Sequence, residues 1–203
     1  MQQLLVIHGG NTFENYGEFF ESLKNKKIGL DYFRWRKGWK DGLAEALGPE
    51  FEIFAPFMPN ASNAQYEEWK IWFERILELM DDGAILIGHS LGGVFLPKYF
   101  SENKSSKKIR AVFMVGAPFD DEGGTEKLAS FALKAPLDNF ARQAGGIHMF
   151  HSQDDPCVPF AHLAKYQKSL PAAQAHVFTD RGHFLQESFP ELVELIGNLY
   201  PKK

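Results

Sequence analysis

Short apolar runs rich in Val, Ile, Leu and Phe recur along the chain, separated by longer stretches whose apolar residues return at helical spacing. Strands buried on both faces read as continuous apolar runs, the mark of a parallel sheet covered by helices on either side. Six runs fit: Leu4–Ile7, Glu52–Phe54, Ala84–Ile87, Ala111–Val115, Ile147–His151 and Ala175–Phe178, the second being the shortest. Between the second and third, Tyr66, Trp69, Ile71, Phe73, Ile76, Leu77 and Met80 repeat with a helical period that closes at Asp81-Asp82-Gly83. Further helices are expected near Trp35–Leu47, Leu91–Phe100, Ala161–Ser169 and Pro190–Leu199, the last packing against the sheet. Gly9–Phe33 and Pro118–Gly146 are the least regular segments. The alternation predicts an α/β fold with a six-stranded, mostly parallel sheet and helices on both faces. With no repeat or linker, residues 1–203 read as a single domain.

Composition narrows the partners more than the fold. A chain of 203 residues, 44% hydrophobic and 24% charged, is an ordinary globular protein able to bury a core without staples. A net charge of −4 and a pI near 6.0 offer no global field for nucleic acid or an anionic membrane, and neither is expected as a partner. No apolar run approaches the roughly 20 residues needed to span a bilayer. The single cysteine, Cys157, excludes an internal disulfide and fits a reducing compartment. Met1 leads almost directly into the first apolar run with no basic segment or cleavage site, so a cytoplasmic location is expected.

The chemistry concentrates at three places. Gly88-His89-Ser90-Leu91-Gly92 follows the third apolar run and precedes a helical pattern. A serine on such a sharp strand-to-helix turn needs small residues two before and two after it, and the helix N-terminus behind it favours developing negative charge. A hydroxyl becomes a nucleophile only when a base removes its proton, and in this kind of fold an acid and then a histidine follow the serine. Asp154 and Asp155 lie just beyond the fifth run, and His183 lies in a loop beyond the sixth, after Gly182. Both positions are strand ends, where open α/β sheets build their sites.

Three segments, Ile87 to Gly93, Ser152 to Pro159 and Phe178 to Phe184, together resemble the compact serine hydrolases of the α/β-hydrolase superfamily, of the YdeN-like, retinoblastoma-binding-protein type. The resemblance spans nearly the whole chain and implies a single α/β-hydrolase domain without a large lid. It implies Ser90 as nucleophile, His183 as general base and Asp155 as orienting carboxylate. Asp155 is selected over Asp154 because the family's acid directly precedes the proline of Asp155-Pro156-Cys157-Val158-Pro159. It further implies an oxyanion hole of two backbone N–H groups, that of Leu91 and one from His8-Gly9-Gly10-Asn11, with Gly10 favoured and Asn11 the alternative. The implied activity is a cofactor-free carboxylesterase-like hydrolysis of small acyl substrates. Thioesterase, peptidase or acyltransferase chemistry with the same triad, or a non-catalytic protein-binding module on the same fold, are the rivals, and no partner motif is legible.

The remaining candidates have plainer readings. His8 and His89 are expected to shape turns, His148, His151, His162 and His176 lack the spacing of a metal site, and Cys157 reads as a small buried hydrophobe. Asp120-Asp121-Glu122 and the lysines of 104–108 read as solvated charges. The aromatic series from Phe13 to Trp39 is divided between lining an acyl pocket and ordinary packing.

Overall fold

The six apolar runs become six parallel strands in one sheet of order β2-β1-β3-β4-β5-β6: β1 Gln2–Ile7, β2 Phe51–Phe54, β3 Ala84–His89, β4 Ile109–Val115, β5 Ile147–Ser152 and β6 Gln174–Phe178. The computed structural model describes residues 1–125 and 127–200. Each strand divides its side chains between two cores. Leu5, Ile7, Leu86, Val112 and Met114 face one side, whereas Leu4, Val6, Ile85, Ile87 and Phe113 face the other. A period of two with both faces apolar is what a covered parallel sheet requires.

Helices supply the covers. On the first face lie α3 (Tyr66–Leu79), α4 (Leu91–Glu102) and α6 (Ala161–Ser169), contributing Trp69, Phe73, Phe95 and Tyr166. On the second lie α2 (Leu43–Leu47) and α7 (Pro190–Leu199), through Leu43, Leu192 and Ile196. α4 is buried from Leu91 to Ser101, in keeping with its apolar character all round. Trp69 closes this core edge-on against Phe95 and Phe131, its indole N–H donating to Pro59 O at 2.8 Å. Among the described residues no helix is long and apolar enough to cross a membrane.

Three segments differ from expectation. The helix expected over Trp35–Leu47 is confined to Leu43–Leu47, because Gly38 and Gly42 interrupt it and Trp39 packs into the core as a loop residue. The segment Gly9–Phe33 contains α1 (Tyr16–Asn25), whose Asn15 cap accepts from Glu18 N at 3.0 Å, although no residue of α1 is buried. The Pro118–Gly146 stretch likewise holds the short α5 (Asp138–Gln143).

The chain leaves β1 toward one sheet edge to form β2, then crosses back to form β3 on the other side. β1 and β3 therefore flank the point where strand order reverses, and their carboxyl ends open a crevice. Register brings Ile7 beside Gly88, His89 beside Val115 and Ser152 beside Phe178, so the loops after β1, β3, β5 and β6 emerge along one rim.

Candidate active site

Ser90 stands at the turn between β3 and α4 with φ 55° and ψ −119°, a left-handed conformation that costs a non-glycine residue about 1–3 kcal/mol. Its surroundings enforce it. A Cβ on Gly88 would lie 2.2 Å from Gly92 O, and one on Gly92 would lie 2.4 Å from Ile7 O. The turn is fastened by Ser90 N donating to Val115 O at 2.9 Å and Gly93 N donating to Ser90 O at 2.8 Å. Strand, turn and helix therefore hold the Ser90 side chain at the crevice, in front of the N-terminus of α4.

The loop after β5 presents Asp155 with its side chain wholly buried. Oδ1 accepts from Cys157 N at 2.8 Å and Val158 N at 3.0 Å, and Oδ2 accepts from His183 Nδ1 at 2.8 Å. Burial works to raise the carboxyl pKa, but the bond to His183 and the two N–H groups outweigh it and hold Asp155 below its ordinary value. Asp154 points to solvent and plays a different part. Its Oδ1 accepts from Ser152 Oγ at 2.5 Å and Gly182 N at 2.9 Å, lashing the β5 loop to the β6 loop. Those bonds hold its carboxyl below the usual range.

With Nδ1 committed to Asp155, the His183 ring keeps Nε2 for the cavity it shares with Ser90. Two supports position that histidine. Gly116, at φ +54°, passes beneath the ring, where a Cβ would come 3.3 Å from Nδ1 and Cε1. His89 Nε2–H donates to the His183 carbonyl at 2.8 Å, while its Nδ1 accepts from Lys40 Nζ at 3.0 Å. Burial first, and then the Lys40 charge, push the His89 pKa well below its ordinary value, so the ring is neutral and this tautomer is fixed. His89 was expected to shape the serine turn; it instead joins that turn to the His183 loop.

A cavity of about 360 Å³ opens beside Ser90, its lining including His8, Gly10, Lys40, Leu91, Asp120 and His183. That volume lies at the small end of the range for ligand cavities. Asn11 N donates to Ala61 O at 2.8 Å, which spends one of the two oxyanion candidates. The N–H groups of Gly10 and Leu91 meet no acceptor among the described residues. The turn is braced by His8, whose Nε2 accepts from Met58 N at 2.9 Å.

The aromatic series does not line this cavity. Trp39 is core, its Nε1–H donating to Phe184 O at 2.9 Å, whereas Tyr16, Tyr32, Phe33 and Trp35 are exposed and Phe13 borders a neighbouring cleft. Asp120 and its neighbours prove more than solvated charges. Lys165 Nζ reaches both Asp120 oxygens at 2.8 and 2.6 Å and Glu122 at 2.7 Å, and Asp121 accepts from Leu128 N at 2.6 Å, organising the loop at the cavity mouth. Asp155, Cys157 and His183 bring potential metal donors within 4.8 Å of one another. Any ion there would have to displace the proton that joins Asp155 to His183. Lys40 carried no signal in sequence, since a lysine between two glycines reads as a surface residue.

A parallel sheet with a strained serine turn after β3, a buried carboxylate after β5 and a histidine after β6 defines an α/β-hydrolase fold. The Serine hydrolase family model matches residues 35–196, and the chain belongs to that family. Serine hydrolase RBBP9 of Rattus norvegicus is 30% identical over 165 residues, covering 80% of this chain and 84% of that protein. Among solved structures, the ydeN gene product of B. subtilis matches with a TM-score of 0.71 at 16% identity, covering 100% of both chains. A meta-cleavage product hydrolase from Pseudomonas fluorescens matches with a TM-score of 0.66 at 16% identity, covering 98% of this chain and 90% of that one. The chain is thus a small serine hydrolase of the YdeN- and RBBP9-like kind.

Proposed function

We propose that the protein hydrolyses small carboxylic esters through a Ser90–His183–Asp155 triad and an acyl-enzyme. The observation that carries this reading is the Asp155 Oδ2 bond to His183 Nδ1 at 2.8 Å, with Ser90 and His183 in one cavity and Ser90 strained at the turn. Asp155 keeps the Nδ1–H tautomer, so Nε2 takes the proton of Ser90 Oγ as that oxygen bonds to the acyl carbon. The carbonyl oxygen becomes an oxyanion facing the N–H groups of Leu91 and Gly10, each such donor being worth about a hundredfold to a thousandfold in rate. Collapse breaks the bond to the leaving alcohol, which takes the proton from Nε2. Water then repeats the sequence: Nε2 takes its proton, hydroxide adds to the acyl carbon, and the acid departs as the proton returns to Ser90.

A fluorophosphonate probe followed by mass spectrometry of the modified peptide tests the nucleophile. Label on the peptide containing Ser90, absent from a folded Ser90→Ala variant, is the expected result. A folded wild type that takes no label at Ser90 counts against the mechanism.

A further inference from the structure

The mechanism leaves Lys40 unused, and its setting is unusual. Its ammonium borders the Ser90 cavity and donates to a single acceptor among the described residues, the His89 Nδ1 at 3.0 Å. An ammonium carries three donors, so two remain unspent. None of the ion pairs among the described residues involves Lys40. A half-buried cation whose neighbours are a neutral imidazole and the Trp39 ring, 5.5 Å away at its centroid, has no direct anionic partner to compensate it. Burial accordingly lowers its pKa to about 8, against a small opposing effect of Asp41.

The rest of the cavity reinforces the imbalance. Lys127 is a second lysine on the lining, without a carboxylate partner among the described residues, while Asp120, the one lining carboxylate among the described residues, is already held through both oxygens by Lys165. Within a chain of net charge −4, the described lining of this cavity thus carries two lysines against one carboxylate that a third lysine already holds. An entering anion would meet unspent donors without having to break an existing ion pair.

We infer that the cavity is built for acyl substrates that carry a second, carboxylate group, with Lys40 binding that carboxylate while the scissile carbonyl faces Ser90. This rests on the hydrolytic reading of Ser90 and adds to it the class of substrate. Lys40 is then a specificity residue as well as a support for His89.

Two esters of matched length separate these roles: monomethyl adipate, which is an anion at neutral pH, and methyl hexanoate, which is neutral. Their hydrolysis is followed by titration of released acid in wild type, Lys40→Met and Lys40→Arg. The wild type is expected to favour the anionic ester in kcat/KM by about tenfold to a hundredfold, the span of a hydrogen bond to a charged group. In Lys40→Met that ratio should fall toward one, chiefly through KM, and Lys40→Arg should restore part of it. A wild-type ratio of one or below overturns the inference, as does a Lys40→Met variant that slows both esters equally, which would leave Lys40 only the support of His89. Calorimetric titration with adipate reads the same site without turnover: tighter binding to wild type than to Lys40→Met is expected, and equal binding overturns the inference. Fluorophosphonate labelling of Ser90 in the same preparations reports the hydrolytic reading separately, so failure of one is distinguishable from failure of the other.

Discussion

Replacing Asp155 with Asn preserves the shape of the side chain but exchanges one acceptor oxygen for a donor. Oδ1 receives two backbone N–H groups, from Cys157 and Val158, which dictate where the amide oxygen goes. The reverse orientation would leave both N–H groups buried without an acceptor, at about 1–3 kcal/mol each. The amide nitrogen must therefore take the place of Oδ2, 2.8 Å from His183 Nδ1, and donate to it. The imidazole then carries its proton on Nε2, the nitrogen that receives the proton of Ser90 in the mechanism proposed above. Loss of the correct tautomer is worth about ten-thousandfold in kcat, or about 5 kcal/mol of activation free energy. KM should change little, because Asp155 is not among the residues bordering the cavity. Steady-state hydrolysis of a short ester by Asp155→Asn and Asp154→Asn makes the comparison. Asp154 is exposed and only ties two loops together, so its variant should stay within about twofold of wild type. If Asp155→Asn retains kcat within about tenfold of wild type, or if Asp154→Asn is the crippling change, the tautomer argument is refuted.

Gly92→Ala should destabilise the fold by about 3 kcal/mol or more, since its Cβ would sit 2.4 Å from Ile7 O and only separation of α4 from β1 relieves that overlap; a urea midpoint equal to wild type contradicts this. Trp39→Phe strands the buried Phe184 carbonyl and should cost about 1–3 kcal/mol, read as a lower Tm, with reduced turnover because Phe184 adjoins His183. Burial, and then the neighbouring His176, lower the His148 pKa to about 4. The unfolded chain therefore binds a proton below its ordinary value near 6.5 while the folded chain refuses it until about 4, so stability is complete above pH 6.5 and is lost as pH falls across that window. Between pH 7 and 5 the loss is bounded at about 2 kcal/mol and is nearer 1 with solvent screening; urea titrations at both values should show His148→Phe to be less acid-sensitive, and an unchanged slope refutes the assignment.

What could be read in advance follows from how local each signal is. The central strands and the covers were legible because burial on both faces leaves a continuous apolar run, a one-sided cover such as α3 or α7 leaves a helical period, and α4, buried all round, leaves an apolar stretch directly behind the serine turn. The three site segments were legible because a serine turn, an acid before Pro156 and a histidine after Gly182 are short-range patterns. α1 was missed although Tyr16, Phe19, Phe20 and Leu23 recur at helical spacing, because that stripe covers no core: none of its residues is fully buried, and the series reads equally well as aromatic packing. The helix near Trp35 was overextended because Trp39 has helical spacing with Leu43, although it reaches the core from a loop that Gly38 and Gly42 bend. What separates Gly10 from Asn11 as an oxyanion candidate is Ala61, fifty residues away, which takes the Asn11 N–H and leaves no trace in the local sequence. Lys40 acquires meaning only from its distant neighbour His89.

α1 carries a consequence for how the molecule opens. A segment that buries nothing adds little to the cooperative unit around the sheet, so its amide protons should exchange through local openings far cheaper than global unfolding. Its exposed Tyr16 and Phe20, and Tyr32, Phe33 and Trp35 in the segment that follows it, are also natural points for proteolytic nicking. A cut there would sever β1 from the remainder of the chain, yet β1 is paired with both β2 and β3, and His8 and Asn11 are bonded to Met58 and Ala61. The two fragments should thus remain associated as one folded body, with Gly9 kept beside Ser90 and Gly10 beside Leu91 after the covalent connection is gone.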